Sequence, residues 1–171
     1  WKKKITLNGK VRGTVDNLSG TGLQVQAGNA TMFAGDISMS GLPDIKQTFI
    51  DLRANDFRTV YADMVTIIPA MRRVTSPDLR KIQYLNFKGS FTGFIRDFVT
   101  FGTVQTNLGT LVTDINMKLP VGQEPLYSGN ISTENFRLGE FLGDKTIGAV
   151  AFDAIVKGRG FNDQTRNTSI A

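Results

Sequence analysis

Cysteine and histidine are both absent from the 171 residues. That removes thiol chemistry, disulfides, zinc ligation by those side chains and every catalytic triad or dyad built on imidazole. Lack of cysteine is compatible with an oxidising compartment without requiring one. No stretch approaches the roughly 20 continuous apolar residues of a membrane span, and the start of the chain carries no signal-peptide pattern. Charge of one sign is not gathered anywhere. The net +5 comes from 20 basic against 15 acidic residues, and the only basic clusters are Lys2-Lys3-Lys4, Arg72-Arg73 and Arg80-Lys81. A nucleic-acid binder would collect its basic residues on one face with aromatics free to stack, so no nucleic-acid partner is expected. Continuous apolar runs of the kind parallel strands need are missing too.

What is present is an imperfect internal repeat of about 80 residues. Leu7-Asn8-Gly9-Lys10-Val11-Arg12-Gly13 returns as Phe87-Lys88-Gly89-Ser90-Phe91-Thr92-Gly93. Asp36-Ile37-Ser38-Met39-Ser40-Gly41-Leu42-Pro43 returns, one residue shorter, as Asp114-Ile115-Asn116-Met117-Lys118-Leu119-Pro120. Ala54-Asn55-Asp56-Phe57-Arg58 returns as Thr133-Glu134-Asn135-Phe136-Arg137. The order is kept and the offsets stay between 77 and 80. A third copy begins near Val156-Lys157-Gly158-Arg159-Gly160-Phe161. Such periodicity argues for an array whose units bury apolar faces by stacking on neighbours. The expected organisation is one internal fragment of a longer repeat protein, with repeat 1 over about 7–85, repeat 2 over about 86–156 and the start of a third over about 157–171. Trp1 in place of Met, and a strand pattern that runs out near Ala171, read as cuts through a longer polypeptide.

Within the repeats, alternation with period two dominates. Leu111, Ile115, Met117 and Leu119 share one face against Asp114, Asn116 and Lys118. Leu85, Phe87, Gly89, Phe91 and Gly93 stand against Asn86, Lys88, Ser90 and Thr92, and Val150, Phe152, Ala154 and Val156 against Ala151, Asp153, Ile155 and Lys157. Strands apolar on one side and wet on the other belong to antiparallel sheet with a single buried face. Gly28-Asn29 and Ser128-Gly129 are candidate reversals or bulges, Asn107-Leu108-Gly109 a hairpin loop, and Pro43-Asp44 and Pro120 strand ends. Several of the 18 glycines fall inside strands at repeated positions, which lets a sheet coil. The expected fold is all-β: a curved, mostly antiparallel sheet forming an open groove with short helical connectors. Thr59–Met71 has mixed helical spacing, Ser76-Pro77-Asp78-Leu79 has the cap and proline of a helix start, and Arg137–Gly143 is the matching short turn. These connectors are expected to cap or cross the groove.

Carboxylates are the only candidates for acid–base work. A paired site needs two of them within about 5–10 Å. Asp36 and Asp114, like Asp56 and Asn135, are repeat equivalents and lie a whole unit apart. No catalytic residue, metal or cofactor is therefore expected, and the chain is not read as an enzyme. The Phe-rich segment Phe87, Phe91, Phe94, Phe98 and Phe101 has two readings, ordinary core or a ligand-contacting surface. A single curved sheet has no second sheet to share its apolar face, and exposing all of it would exceed the few hundred Å² that soluble monomers tolerate. The alternation nominates Val11, Leu85, Phe87, Phe91, Leu111, Ile115, Met117, Leu119, Ile131, Val150, Phe152 and Val156 as the lining of a hydrophobic groove. Open edges also make an edge-strand dimer expectable in the isolated fragment.

Gly89-Ser90-Phe91-Thr92-Gly93-Phe94-Ile95-Arg96-Asp97-Phe98-Val99, followed by Thr106-Asn107-Leu108-Gly109 and Thr113-Asp114-Ile115, resembles the TamB branch of the AsmA-like proteins in its Bacteroidota form. Gly41-Leu42-Pro43-Asp44, Tyr127-Ser128-Gly129 and Phe136–Gly143 extend that resemblance to roughly residues 7–161. It implies a U-shaped β-groove, polar outside, within a periplasmic protein anchored in the inner membrane. The implied task is carrying phospholipid acyl chains between the inner and outer membranes in support of outer-membrane biogenesis. An Omp85-type barrel would be a partner through other parts of the parent protein. The alternative is a scaffold or chaperone module that templates outer-membrane or autotransporter strands by β-augmentation. An adhesive β-array is a third reading. A conduit predicts an inner face almost without charge, a templating module a long uncovered edge, and an adhesin aromatics on the outer face.

Overall fold

Strand-forming segments follow one another with little between them. A computed structural model describes residues 5–67, 72, 78–160 and 167–170. Ten strands pair strictly in chain order into one antiparallel sheet: β1 (Ile5–Thr14), β2 (Asn17–Ala27), β3 (Thr31–Ser40), β4 (Phe49–Val60), β5 (Tyr84–Phe94), β6 (Asp97–Thr106), β7 (Gly109–Lys118), β8 (Leu126–Phe136), β9 (Val150–Arg159) and β10 (Asn167–Ile170). The first and last strands do not meet, so the sheet is open and curved, as the alternation predicts. The helices are α1 (Tyr61–Ile67) and α2 (Leu138–Leu142), with a 3-10 turn at Leu79–Lys81. No helix among the described residues is long and apolar enough to cross a membrane.

The repeat is visible in the topology. β1–β4 followed by α1 has the same order as β5–β8 followed by α2. Even the irregularities recur. In β4, Asn55 and Asp56 stand between Ala54, paired with Gly89, and Phe57, paired with Phe87. In β8, Glu134 and Asn135 stand between Thr133, paired with Phe152, and Phe136, paired with Val150. Each is a bulge that sets two residues against one and bends the strand. The short polar pairs Asn-Asp and Glu-Asn suit the outside of such a bend.

Both helical connectors sit along one rim, where β4 and β8 end. Asp63 at the start of α1, 2% exposed, accepts from the backbone N–H of Asn29 (2.9 Å) and Ala30 (2.8 Å) and from the Thr31 hydroxyl (3.1 Å). It thereby ties the β2–β3 turn to the β4–α1 junction. In the second unit the same rim is closed apolarly. Phe136 packs edge-on to Phe141 of α2, with centroids 5.8 Å apart, and Leu108 of the β6–β7 turn is 1% exposed. The connectors therefore border the groove at one end.

Three local expectations change. Gly129 is neither reversal nor bulge but mid-strand, paired with Ile115. The cap before the 3-10 turn is Asp78, whose carboxylate accepts from the Arg80 N–H; Ser76 and Pro77 lie outside the described residues. Strand β4 runs through Val60, and α1 occupies only the middle of the segment read as helical. That segment's end, like part of the third-repeat motif at Phe161, also falls outside the described residues.

Candidate functional site: an uncharged sheet face

The cross-strand registers fix which side chains share a face. One face carries Leu7, Val11, Leu18, Leu23, Val25, Phe33, Ile37, Met39, Ile50, Leu52, Ala54 and Phe57 from β1–β4. It continues with Leu85, Phe87 and Phe91 of β5, Phe98 and Val104 of β6, and Leu111, Ile115 and Met117 of β7. Tyr127, Ile131 and Phe136 of β8 and Val150, Phe152, Ala154 and Val156 of β9 join it. No charged residue of the ten strands stands on this face. Lys10, Arg12, Asp36, Asp51, Arg53, Lys88, Asp97, Asp114, Lys118, Asp153, Lys157 and Arg159 all stand on the other. There Lys118 reaches Asp97 across β6–β7 at 3.3 Å.

Eleven of the twelve nominated lining residues share the uncharged face, on β1, β5, β7, β8 and β9. Leu119 follows the end of β7, half-buried at the rim, and its N–H donates to the Arg96 carbonyl. The Phe-rich segment splits between faces. Phe87, Phe91 and Phe98 point inward, Phe91 and Phe98 with centroids 4.6 Å apart. Phe94 and Phe101 point outward, Phe94 edge-on to Phe49 at 5.5 Å.

Polar atoms on the inner face are neutralised by the sheet itself. The Thr100 hydroxyl donates to the Ser90 carbonyl (3.1 Å), Thr113 to Gly102 (3.3 Å), Thr106 to Gly109 (3.1 Å) and Thr133 to Thr110 (2.7 Å). Thr31 and Thr59 bond to each other at 2.9 Å. The hydroxyls of Thr100, Thr106, Thr113 and Thr133 are engaged by backbone carbonyls and those of Thr31 and Thr59 by each other and Asp63, so the face is more apolar than its composition implies.

Small residues let neighbouring strands approach closely on this side. Gly89 and Gly102 face each other across β5–β6. A Cβ on Gly89 would fall 2.1 Å from the Phe101 carbonyl oxygen and 2.7 Å from the Gly102 Cα. The Phe87 ring roofs both glycines. In the first unit the concavity is a cavity of ≈ 370 Å³, lined by Leu7, Val11, Leu18, Leu23, Val25, Phe33, Ile37, Met39, Leu52 and Phe57 among others. An arrangement like this can desolvate a hydrocarbon chain. Asp36 and Asp114 sit on the outer face of β3 and β7, four strand spacings or about 19 Å apart, too far to act together.

The perturbed titrating groups lie in turns and on the outer face. A hydrogen bond from the Thr14 hydroxyl lowers the pKa of Asp16, and one from the Thr146 hydroxyl lowers that of Asp144. The Arg80 guanidinium does the same for Asp78, and bonding to Asp56 raises that of Arg58. All are structural pairs at turns or bulges.

The lining from β2, β3, β4 and β6 escaped the sequence reading. In β6 apolar residues occupy both faces, Phe98 and Val104 inside, Val99 and Phe101 outside, so alternation has no phase there. In β4 the bulge puts Ala54 and Phe57, three apart, on one face, which imitates helical spacing. The Phe136-Arg137 repeat of Phe57-Arg58 is the signal that could have set the phase.

No family model, curated protein or solved structure matches this chain.

Proposed function

We propose that the uncharged face is a lipid-carrying groove, part of a TamB-like periplasmic protein that moves phospholipid between the inner and outer membranes. The observation that carries the reading is the complete segregation of strand charge to the opposite face. An acyl chain gains about 0.8 kcal/mol for each CH₂ it removes from water, and a face without charge, whose polar side chains among the described residues include the mutually bonded Tyr127 and Thr168 hydroxyls, offers few competing polar contacts. Carriage of this kind needs no catalytic group, and the lining selects for hydrocarbon, not for chain identity. The resemblance of Gly89–Val99 and its flanking motifs to the TamB branch supplies the compartment and the cargo.

The test is native mass spectrometry of the protein purified from bacterial cells, with organic extraction of bound material. Phospholipid should co-purify. It should be lost from Ile37→Asp and Ile115→Asp, which put a carboxylate on the inner face, and kept by Ser38→Asp and Asn116→Asp, one residue away on the outer face. Circular dichroism of all four variants separates lost binding from lost folding. A lipid-free wild-type protein, or lipid retained by folded inner-face variants, overturns the reading.

A further inference from the structure

On the outer face of β7–β9, charge separates by sign along the strands. At the end bordered by α2 stand Glu134 and Asp153, which line an open depression of ≈ 830 Å³ with no basic residue in its wall. At the other end the registers gather cations: Ser128 stands beside Lys157, while Lys118 and Arg159 flank Leu126. A second depression, of ≈ 240 Å³, opens there, lined by Lys118, Leu126, Ser128 and Lys157 among others, with no carboxylate in its wall. Lys118 and Lys157 are two strand spacings and two residues apart, about 12 Å between Cα atoms, so two long side chains reach over the short Ser128 from opposite sides. Asp97 holds Lys118 from the β6 side at 3.3 Å. Asp114, which faces Asn130, and Glu124, in the turn before β8, do not line the depression. Lys157 and Arg159 form no ion pair among the described residues. In the first unit, by contrast, Arg53 faces Asp36 across β3–β4, and Arg58 bonds to Asp56 at 2.9 Å.

We propose that the smaller depression binds a phosphate group. Lysine recognises phosphate as a point charge, whereas a planar carboxylate is best met by the fork of arginine. Two lysines around a serine hydroxyl therefore suit a tetrahedral oxyanion, to which the ammonium groups and the Ser128 hydroxyl donate. Arg159, next along β9 from Lys157 on the same face, adds positive potential at the mouth. Leu126, 45% exposed, gives an apolar wall against which the carbon substituent of a phosphate ester lies. Inorganic phosphate, a soluble phosphate ester and a lipid headgroup all present this group. The site stands on the face opposite the trough, so it is independent of what the trough carries.

The test is a titration of the isotope-labelled full chain with inorganic phosphate at constant ionic strength, followed by amide NMR. The amides of Ser128, Lys157 and Gly158 should shift along saturable curves in the millimolar range. Those of Ser132 and Ala151, at the acidic end of the same strands, should stay in place. Lys157→Gln should weaken binding about threefold to tenfold. Lys88→Gln, which removes an outer-face cation on β5, should leave it unchanged. Both are exposed side chains, and circular dichroism checks that the variants keep the sheet. Two further probes separate the sources. Tighter binding of glycerol phosphate than of inorganic phosphate supports a soluble ester. Sedimentation with phosphatidic acid vesicles, absent with phosphatidylcholine vesicles and lost in Lys157→Gln, supports a headgroup. Saturable binding of inorganic phosphate without either supports the free anion. Shifts that stay linear, an equal response to acetate, shifts spread over every outer-face lysine, or unchanged affinity in folded Lys157→Gln would each overturn the inference.

Discussion

Replacing Gly89 with alanine tests the physical basis of the groove's curvature. Alanine normally stabilises relative to glycine, by about 0.4–1 kcal/mol, because it restricts the unfolded chain. At Gly89 the new methyl would lie 2.1 Å from the Phe101 carbonyl oxygen, 2.7 Å from the Gly102 Cα and 2.8 Å from the Phe87 ring. The ring can swing aside, but the two backbone contacts can be relieved only by opening β5 from β6 by roughly an ångström. Overpacking of that kind costs about 1–3 kcal/mol, which outweighs the entropic gain. The net loss of about 0.6–2 kcal/mol, at a urea m-value near 2 kcal/mol/M, should lower the unfolding midpoint of Gly89→Ala by about 0.3–1 M. Gly148→Ala is the matched control: no atom stands within 4 Å of its Cβ, so its midpoint should hold or rise. The observable is the sign of the shift. If Gly89→Ala rises alongside Gly148→Ala, the close approach of β5 and β6 is wrong, and with it the explanation of why the sheet folds toward its uncharged side. If the midpoint falls as expected and the proposed groove holds lipid, lipid retention by the folded variant should fall too, because a wider β5–β6 angle makes the trough shallower.

Other parts of the molecule make separate predictions. Asp63→Ala should cost about 2–4 kcal/mol in urea unfolding, because it strips a buried acceptor from the Thr31 hydroxyl and two backbone N–H groups; Asp63→Asn should cost less. Leu108→Ala, at a side chain almost wholly enclosed, should cost about 2–5 kcal/mol by cavity formation. Asp16, Asp78 and Asp144 should titrate below the ordinary aspartate range by carboxyl-carbon NMR. Because their folded pKa values are depressed, whatever stability they add is complete above the unfolded-state value and disappears as the pH drops below about 4 through the folded values. Thr14→Val and Thr146→Val should return the Asp16 and Asp144 titrations toward the ordinary range.

How much of this was legible in the sequence depended on whether a strand kept its phase. Strands β5, β7 and β9 keep enough alternation, despite Val112 and Ile155 on the outer side, that their inner residues Phe87, Phe91, Ile115 and Val156 could be read directly. Strand β6 carries large apolar residues on both faces, so nothing in its pattern marks Phe98 and Val104 as inner and Phe101 as outer; only the register decides it, pairing Phe98 with Gly93 and Met117, Val104 with Phe87 and Leu111, and Phe101 with Ser90 and Asp114. Bulges caused the other losses. A two-for-one bulge brings residues three apart onto one face, so Ala54 and Phe57 look helical although they are extended. The clamp at Asp63 was invisible for a different reason: its partners lie more than 30 residues away in a turn, and no local pattern predicts that a carboxylate will be buried by tertiary contact.

The outer face is not free of apolar side chains, and that bears on which face is the groove. Phe101 is 56% exposed there, Val99 and Val112 are exposed near it, and Ile155 is exposed three strands away on β9. The difference is arrangement. Phe101 is flanked across the ladder by Ser90 and Asp114, Val99 by Thr92 and Asn116, and Val112 by Thr103 and Ser132. Val99 and Phe101 adjoin along β6 and Phe49 adjoins Phe94, but none of these contacts is carried on from strand to strand, and such small apolar groups are of the kind any protein surface carries. On the inner face apolar side chains instead adjoin one another across strand after strand. Leu7–Val25–Phe33–Phe57–Phe87–Val104–Leu111 is one such unbroken row, crossing seven strands. A contiguous row supports a chain of methylenes along its whole length, whereas scattered residues of equal total area cannot. The row runs perpendicular to the strands, so an acyl chain lying along the proposed groove would meet apolar side chains at each of the seven.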